Sequence, residues 1–170
     1  MSALDKLCTP PNVLELVRKV GDIGFDPFPG EHSLVSPTAR VTLIAKWQRE
    51  GFDAWKCDNW LACVGADEVL FCNPPYSRGN LPRFADHWSK QDFFVQHGIA
   101  LLPSSTGARW FDVMCRSSKV LLLWRGRITF WLDGKPTKGG GMFDSALFYN
   151  GANPYRFADV FAPFGRVVML

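Results

Sequence analysis

The run Asn73-Pro74-Pro75-Tyr76 combines residue types that suit one chemical task. The Asn73 side-chain oxygen and the Pro74 main-chain carbonyl can each accept a hydrogen bond from the two hydrogens of a planar exocyclic amine. Such bonds favour the pyramidal, nucleophilic form of the nitrogen and aim its lone pair at a methyl donor. The two prolines add rigidity, and Tyr76 offers a flat face on which a planar ring can stack. The motif therefore predicts transfer of an activated methyl group to a planar amine, with no covalent intermediate on the protein.

The elements before this motif predict where it lies. Residues 68–72 form an apolar run that we expect to be a strand, which the two prolines end. A second strand is predicted over residues 22–26, and the loop after it places the Asp26 carboxylate at the strand exit and Gly30 where backbone can approach a ligand. That loop, taken alone, fits an ordinary turn better than a ligand site. Because ligands of open α/β sheets bind beyond the carboxyl ends of strands, we expect both loops at one edge.

The remaining pattern alternates helices with strands. Helices are predicted over residues 9–21, with Thr9 as cap and Pro10 at the first position, and over 36–50, 84–97 and 107–115. Further strands are predicted over residues 99–102, 120–124, 127–132 and 145–149. This order predicts one α/β domain over residues 1–170, with helices on both faces of a mostly parallel sheet and an antiparallel hairpin at one edge. Too few residues remain for a separate target-recognition domain.

Charge is distributed unevenly along the chain. Residues 1–77 carry seven Lys/Arg against ten Asp/Glu, whereas residues 78–138 carry ten against four. A basic segment that begins directly after the motif fits a polyanion lying across that face, and ordinary solvated charge fits the composition equally. The candidate phosphate contacts are Ser77, Arg78, Arg83, Lys90, Arg109, Arg125, Arg127, Lys135 and Lys138. The loop over 133–144, which holds the last two, suits either a basic segment that follows nucleic acid or a solvated hairpin loop.

Two further features exclude other classes of protein. The five cysteines are scattered and show no CxxC spacing, and the three histidines show no ligand spacing, so neither a disulfide framework nor a metal site is expected. The sequence has no apolar run of about 18 residues and no secretory pattern at its start. We therefore expect a soluble cytoplasmic protein with no membrane partner.

The sequence resembles the compact phage-type DNA N-6-adenine methyltransferases, the phage Dam family. The motifs that carry this resemblance are Thr9-Pro10, Phe25-Asp26-Pro27, Phe71-Cys72-Asn73-Pro74-Pro75-Tyr76-Ser77, Leu102-Pro103, Arg109-Trp110-Phe111 and Gly126-Arg127-Ile128-Thr129-Phe130. The resemblance implies a Rossmann-like class I fold, S-adenosyl-L-methionine as cofactor and double-stranded DNA as partner. It also implies a bacteriophage or prophage protein that acts in the cytoplasm of a bacterial host cell.

By this resemblance, Asn73, Pro74, Pro75 and Tyr76 would hold a flipped adenine. The cofactor would contact Thr9, Pro10, Asp26, Phe28 to Gly30, Asn73 and Asp58. Of the two acidic residues that precede the motif strand, Asp58 is expected to be better placed than Asp53 for the cofactor's adenine amine.

Two alternatives remain at this point. The motif geometry serves any planar nitrogen, so an enzyme of the same fold could act on RNA or on a protein glutamine. A protein that keeps the scaffold and binds DNA without catalysis is the second alternative, and the intact motif speaks against it. The sequence leaves the recognition site open, and also whether the protein is a monomer or a homodimer.

Overall fold

The computed structural model describes residues 3–29, 32–35, 53–139 and 141–170, and the predicted helix over 36–50 lies outside them. The helices are α1 (Pro11–Val20), α2 (Asn80–Ser89), α3 (Arg109–Arg116) and α4 (Pro154–Phe161). The strands are β1 (Ile23–Phe25), β2 (Val69–Cys72), β3 (His97–Pro103), β4 (Val120–Trp124), β5 (Trp131–Leu132), β6 (Lys135–Pro136), β7 (Ser145–Gly151) and β8 (Gly165–Met169). Short 3-10 helices cover Ala3–Lys6, Ala54–Lys56, Trp60–Cys63 and Ala162–Phe164.

A six-stranded mixed sheet organises the chain, in the order β1-β2-β3-β7-β4-β8. Strands β1, β2 and β3 are parallel neighbours, and β7 runs antiparallel between β3 and β4. Strand β8 then pairs antiparallel with β4 at the edge. Four of the six strands therefore share one direction, which confirms an α/β fold with a mostly parallel sheet.

The predicted antiparallel pairing does occur at one edge of the sheet, between β4 and β8, but these strands are not consecutive in the chain and form no hairpin. The long antiparallel strand β7 lies inside the sheet, where it separates β3 from β4. The short hairpin of β5 and β6 forms a separate two-stranded sheet. Inside a sheet, both edges of β7 find backbone partners, whereas an edge hairpin would leave one row of groups unpaired.

Strand β2 is buried at every position, so both faces of the sheet are covered around it. Helix α1 contacts β2 and packs beside α4, and helices α2 and α3 pack against each other. Val13, Val17 and Val20 of α1 and Phe84 and Trp88 of α2 are completely buried by this packing. These layers place the carboxyl ends of β1 and β2 side by side.

Several predicted boundaries shift. Pro10, not Thr9, is the extended residue before α1, and no side chain caps that helix. The predicted helix over 84–97 is Asn80–Ser89, because Gly79 begins it in the left-handed region and β3 starts at His97. The predicted strand over 127–132 is reduced to Trp131–Leu132, and helix α4 and strand β8 were not predicted.

In the described part of the chain, no helix has both the length and the apolar character that crossing a membrane requires.

Candidate functional site

A cavity of about 400 Å³ lies at the carboxyl ends of β1 and β2. Its wall comprises Asp5, Lys6, Leu7, Phe28, Pro29, His32, Asn73, Pro75, Asn80 and Asp133. The loops that follow the two strands therefore meet at one edge, as the sequence predicts. The volume falls within the range of pockets that hold small molecules and cofactors.

The Asn73 amide has a fixed orientation at this wall. Its Nδ2 donates to the Leu7 carbonyl oxygen at 2.9 Å. Its Oδ1 accepts a hydrogen bond from the Tyr76 hydroxyl at 2.6 Å. Because a carbonyl oxygen has two lone pairs, Oδ1 can accept one more donor. The arrangement therefore presents a positioned acceptor beside the cavity.

The Tyr76 hydroxyl connects the motif to strand β3. This hydroxyl lies 2.6 Å from Asn73 Oδ1 and 2.9 Å from the Leu101 carbonyl oxygen of β3. Burial raises the pKa of the Tyr76 phenol well above its usual value, so the hydroxyl keeps the single proton that these acceptors share. The ring is only 8% exposed, so the open stacking face expected from the sequence is not displayed in this conformation.

Tyr76→Phe is expected to lower the free energy of unfolding by about 1–3 kcal/mol, because the buried Leu101 carbonyl and the half-buried Asn73 amide oxygen lose their shared donor. Chemical denaturation followed by circular dichroism measures this change. Tyr155→Phe is the matched control, since Tyr155 is 72% exposed and its change should stay within about 0.5 kcal/mol. Equal changes in both variants would contradict the assigned contacts.

Asp26 is a buried residue that stabilises the loop after β1. It is 5% exposed, and its Oδ1 accepts a hydrogen bond from the Phe28 backbone N–H at 2.9 Å. Burial raises the pKa of this carboxyl group to about 7, and the Phe28 hydrogen bond offsets part of that increase. Asp26 itself is not part of the cavity wall described above. Its direct effect is to hold Phe28 in position there.

An aromatic cluster that the sequence did not predict supports Phe28. The Phe28 ring lies 4.8 Å from Trp55, 5.4 Å from Trp60 and 5.9 Å from Phe84 between centroids. The guanidinium of Arg83 lies 4.7 Å from the centre of the Trp55 ring. Arg83, a predicted phosphate contact, therefore lies on the outer face of the cluster that supports the cavity.

The other predicted cofactor residues lie at different distances from the cavity. Thr9 and Pro10 are buried just beyond Leu7, outside the cavity wall, and the Thr9 hydroxyl has no hydrogen-bond partner among the described residues. Gly30 lies outside the described residues. Asp58 is exposed and lines a separate depression that also contains Lys90. Asp53 caps the 3-10 helix that carries Trp55, whose ring contacts Phe28.

The predicted phosphate contacts divide into two groups. Lys90 pairs with Asp86 at 2.7 Å and Arg127 with Asp144 at 3.2 Å, and Ser77 is half-buried, with its backbone N–H donating to Asp5. The second group consists of exposed residues: Arg78, Arg109, Arg125, Lys135 and Lys138. These five side chains form no ion pair with another described residue, so they can bind phosphates without losing one.

The hairpin of β5 and β6 contributes a residue that sequence reasoning missed. Cys8 and Trp131 exchange two backbone hydrogen bonds, of 2.8 and 3.0 Å, which dock the hairpin on the N-terminal segment. This places Asp133, at the hairpin turn, in the cavity wall together with Asn80 and His32. The Asp133-Gly134 pair is a hairpin signal, and it could have located this turn.

A scan against protein-family models and a search of curated proteins both find no match for this chain.

Proposed function

We propose that this protein is an S-adenosylmethionine-dependent DNA adenine-N6 methyltransferase with a Rossmann-like fold. The observation that carries the proposal is the fixed Asn73 amide, with Oδ1 held as an acceptor at the wall of a cavity of about 400 Å³. Adenine in DNA as the acceptor, and action in the cytoplasm of a bacterial host, follow from the resemblance to the phage Dam family.

The residues present fit the cofactor. Thr9 supplies a buried hydroxyl with no partner in the described ranges, two residues beyond Leu7. Phe28 gives the cavity an apolar aromatic wall suited to a purine, and the Asp5 and Asp133 carboxylates together with Lys6 suit a ligand that carries both cationic and anionic groups. When bound, S-adenosylmethionine supplies a methyl group already activated on a sulfonium. The protein therefore needs no nucleophile of its own.

The chain's contribution to the reaction is positioning. Asn73 Oδ1 and the Pro74 carbonyl accept hydrogen bonds from the exocyclic amine and orient its lone pair. The transfer forms one N–C bond and breaks one S–C bond, which leaves a neutral thioether. The amine then loses its extra proton to water. Preorganised acceptors that match the developing charge on nitrogen stabilise the transition state.

The target base must leave the duplex to reach Asn73. Exposed Arg78, Arg109, Lys135 and Lys138 are suited to hold the flanking phosphates, and Arg127 can exchange Asp144 for a phosphate. We expect binding to weaken steeply with salt, because each neutralised phosphate releases counterions.

A transfer assay with S-adenosylmethionine carrying a labelled methyl group tests the proposal on double-stranded DNA, RNA and protein substrates. Label in the adenine N6 position of DNA is the expected result. Label only in RNA or only in protein glutamine would replace the acceptor with one of the alternatives. Binding of DNA without methyl transfer, and without cofactor binding by calorimetry in the presence or absence of DNA, would identify a non-catalytic DNA-binding protein.

A further inference from the structure

Three aromatic rings meet next to Asn73. The Tyr76 ring makes T-shaped contacts with Phe130, at 6.3 Å and an interplanar angle of 87°, and with Phe143, at 5.3 Å and 80°. Phe130 and Phe143 also contact each other at 5.3 Å. The phenol hydroxyl of the same Tyr76 bonds to Asn73, so the cluster adjoins the positioned amide.

Phe143 is the outer ring of this cluster. Phe130 is 1% exposed and belongs to the core, whereas Phe143 is half-buried and follows Met142, which is 56% exposed. Phe130 cannot move without opening the core. The Phe143 side chain, by contrast, lies at the outer side of the cluster and can move toward solvent by rotation about its own side-chain torsions.

The short segment that carries Phe143 is held on both sides by described residues: Gly141 packs closely against Arg127 and Ile128, and Asp144 leads into β7. The Asp144 carbonyl accepts a hydrogen bond from the Ser104 backbone N–H at 2.8 Å, directly before β7 begins. The Asp144 side chain pairs with Arg127, but the two side chains are 72% and 58% exposed. Exposed ion pairs of this kind stabilise a conformation only weakly. Ring contacts are therefore the main described restraint on the Phe143 side chain.

We propose that Phe143 occupies the place beside Tyr76 that the ring of the acceptor base takes, and that it withdraws when the base enters. The inference rests on the proposed function and deepens it, because it identifies the residue that occupies the stacking position before the base arrives. A purine on the Tyr76 ring would lie near Asn73 Oδ1, which is 2.6 Å from the phenol oxygen.

This placement accounts for the low exposure of the Tyr76 side chain, 8%, in the protein alone. A flat base that stacks on Tyr76 gains more contact area than an edge-to-face phenylalanine does. The exchange replaces one aromatic contact with another, so the apolar site is not left open to water before the base arrives. We therefore expect Phe143 to exclude ligands that stack weakly on Tyr76 and to be displaced by a base flipped out of DNA.

Binding of 9-ethyladenine tests this inference, with S-adenosylhomocysteine added at high concentration to fill the cavity. Phe143→Ala is expected to bind 9-ethyladenine at least about fivefold more tightly than the unsubstituted protein, because removing the occupant raises the fraction of open sites. Phe143→Leu keeps apolar bulk and should give a smaller gain in the same direction. Calorimetry or ligand-observed NMR measures the affinities.

Phe164→Ala is the matched control, since Phe164 is a partly exposed ring stacked on Trp124 at the far edge of the sheet. It should leave 9-ethyladenine affinity unchanged. Adding Tyr76→Ala to Phe143→Ala should remove the gain. Unchanged or weaker binding by both Phe143 variants would overturn the inference.

The labelled-methyl assay on the same variants separates this inference from the proposed function. A gain in 9-ethyladenine binding without methyl transfer by any variant would leave the inference standing and refute the enzyme. Methyl transfer by the unsubstituted protein, without a gain in 9-ethyladenine binding by the Phe143 variants, would support the proposed enzyme and refute the inference about Phe143.

Discussion

Asn73→Ala is expected to reduce methyl transfer to double-stranded DNA by at least about 100-fold, because the amine loses an acceptor aimed at it in the transition state. Binding of S-adenosylmethionine should change little, since Leu7, Phe28 and the rest of the cavity wall remain. The loss should therefore appear in kcat rather than in KM for the cofactor. Single-turnover transfer of labelled methyl, with calorimetry for the cofactor, measures both quantities.

The control for this variant is Asn153→Ala. The Asn153 side chain accepts a hydrogen bond from the Arg156 N–H at the start of α4, beyond the opposite end of β7 from the cavity. Its removal costs about 1 kcal/mol of stability, as loss of a helix cap generally does, but should leave transfer unchanged. Transfer by Asn73→Ala near the unsubstituted rate would refute the role assigned to this amide.

Asp26→Asn is expected to stabilise the folded protein at pH 8 by up to about 4 kcal/mol, the free energy that corresponds to a pKa near 7 in place of 3.8. The carboxyl group binds its proton more tightly in the folded state than in the unfolded state. Its contribution to stability is therefore fully present below pH 3.8 and is lost as the pH rises to about 7. The advantage of the neutral amide should accordingly shrink toward zero near pH 4.

Urea denaturation at pH 4, 6 and 8 measures this difference for both proteins. Asp22→Asn provides the control, because Asp22 is exposed just before β1 and should change stability by no more than about 0.5 kcal/mol at each pH. A constant gap between Asp26→Asn and the unsubstituted protein across this range would contradict a titrating carboxyl group at position 26.

The position of the site could be predicted because its signals are local. Four apolar residues, then Asn73 and two prolines, indicate a buried strand and its end without information from the rest of the chain. The orientation of Asn73 could not be predicted, because it depends on the carbonyl of Leu7, 66 residues away in sequence. The docking of Asp133 depends in the same way on the pairing of Cys8 with Trp131.

The order of the strands in the sheet could not be predicted from the sequence for a similar reason. The seven residues of β7 read as a strand whether they lie inside the sheet or at its edge, and only the pairing of β7 with β3 and β4 decides between them. A strand over residues 127–132 was wrongly predicted because Ile128 and Phe130 are buried at alternate positions, which is typical of a strand. The backbone instead turns at Gly126, which has φ +76°.

Helix α4, in contrast, carried a readable signal. Asn153 followed by Pro154 is a cap-and-start pattern, and Phe157 and Phe161 have helical spacing. The helix was missed although no information from other parts of the chain was needed to predict it.

The placement of β7 between β3 and β4 has a consequence for biosynthesis. During translation β3 emerges before β7, so one edge of β3 waits for its partner while residues 104–144 are made. That edge carries seven residues, six of them buried in the finished protein, and an apolar strand edge of this kind readily pairs with another chain. We therefore expect this protein to be prone to aggregation in the interval before residues 145–151 leave the ribosome.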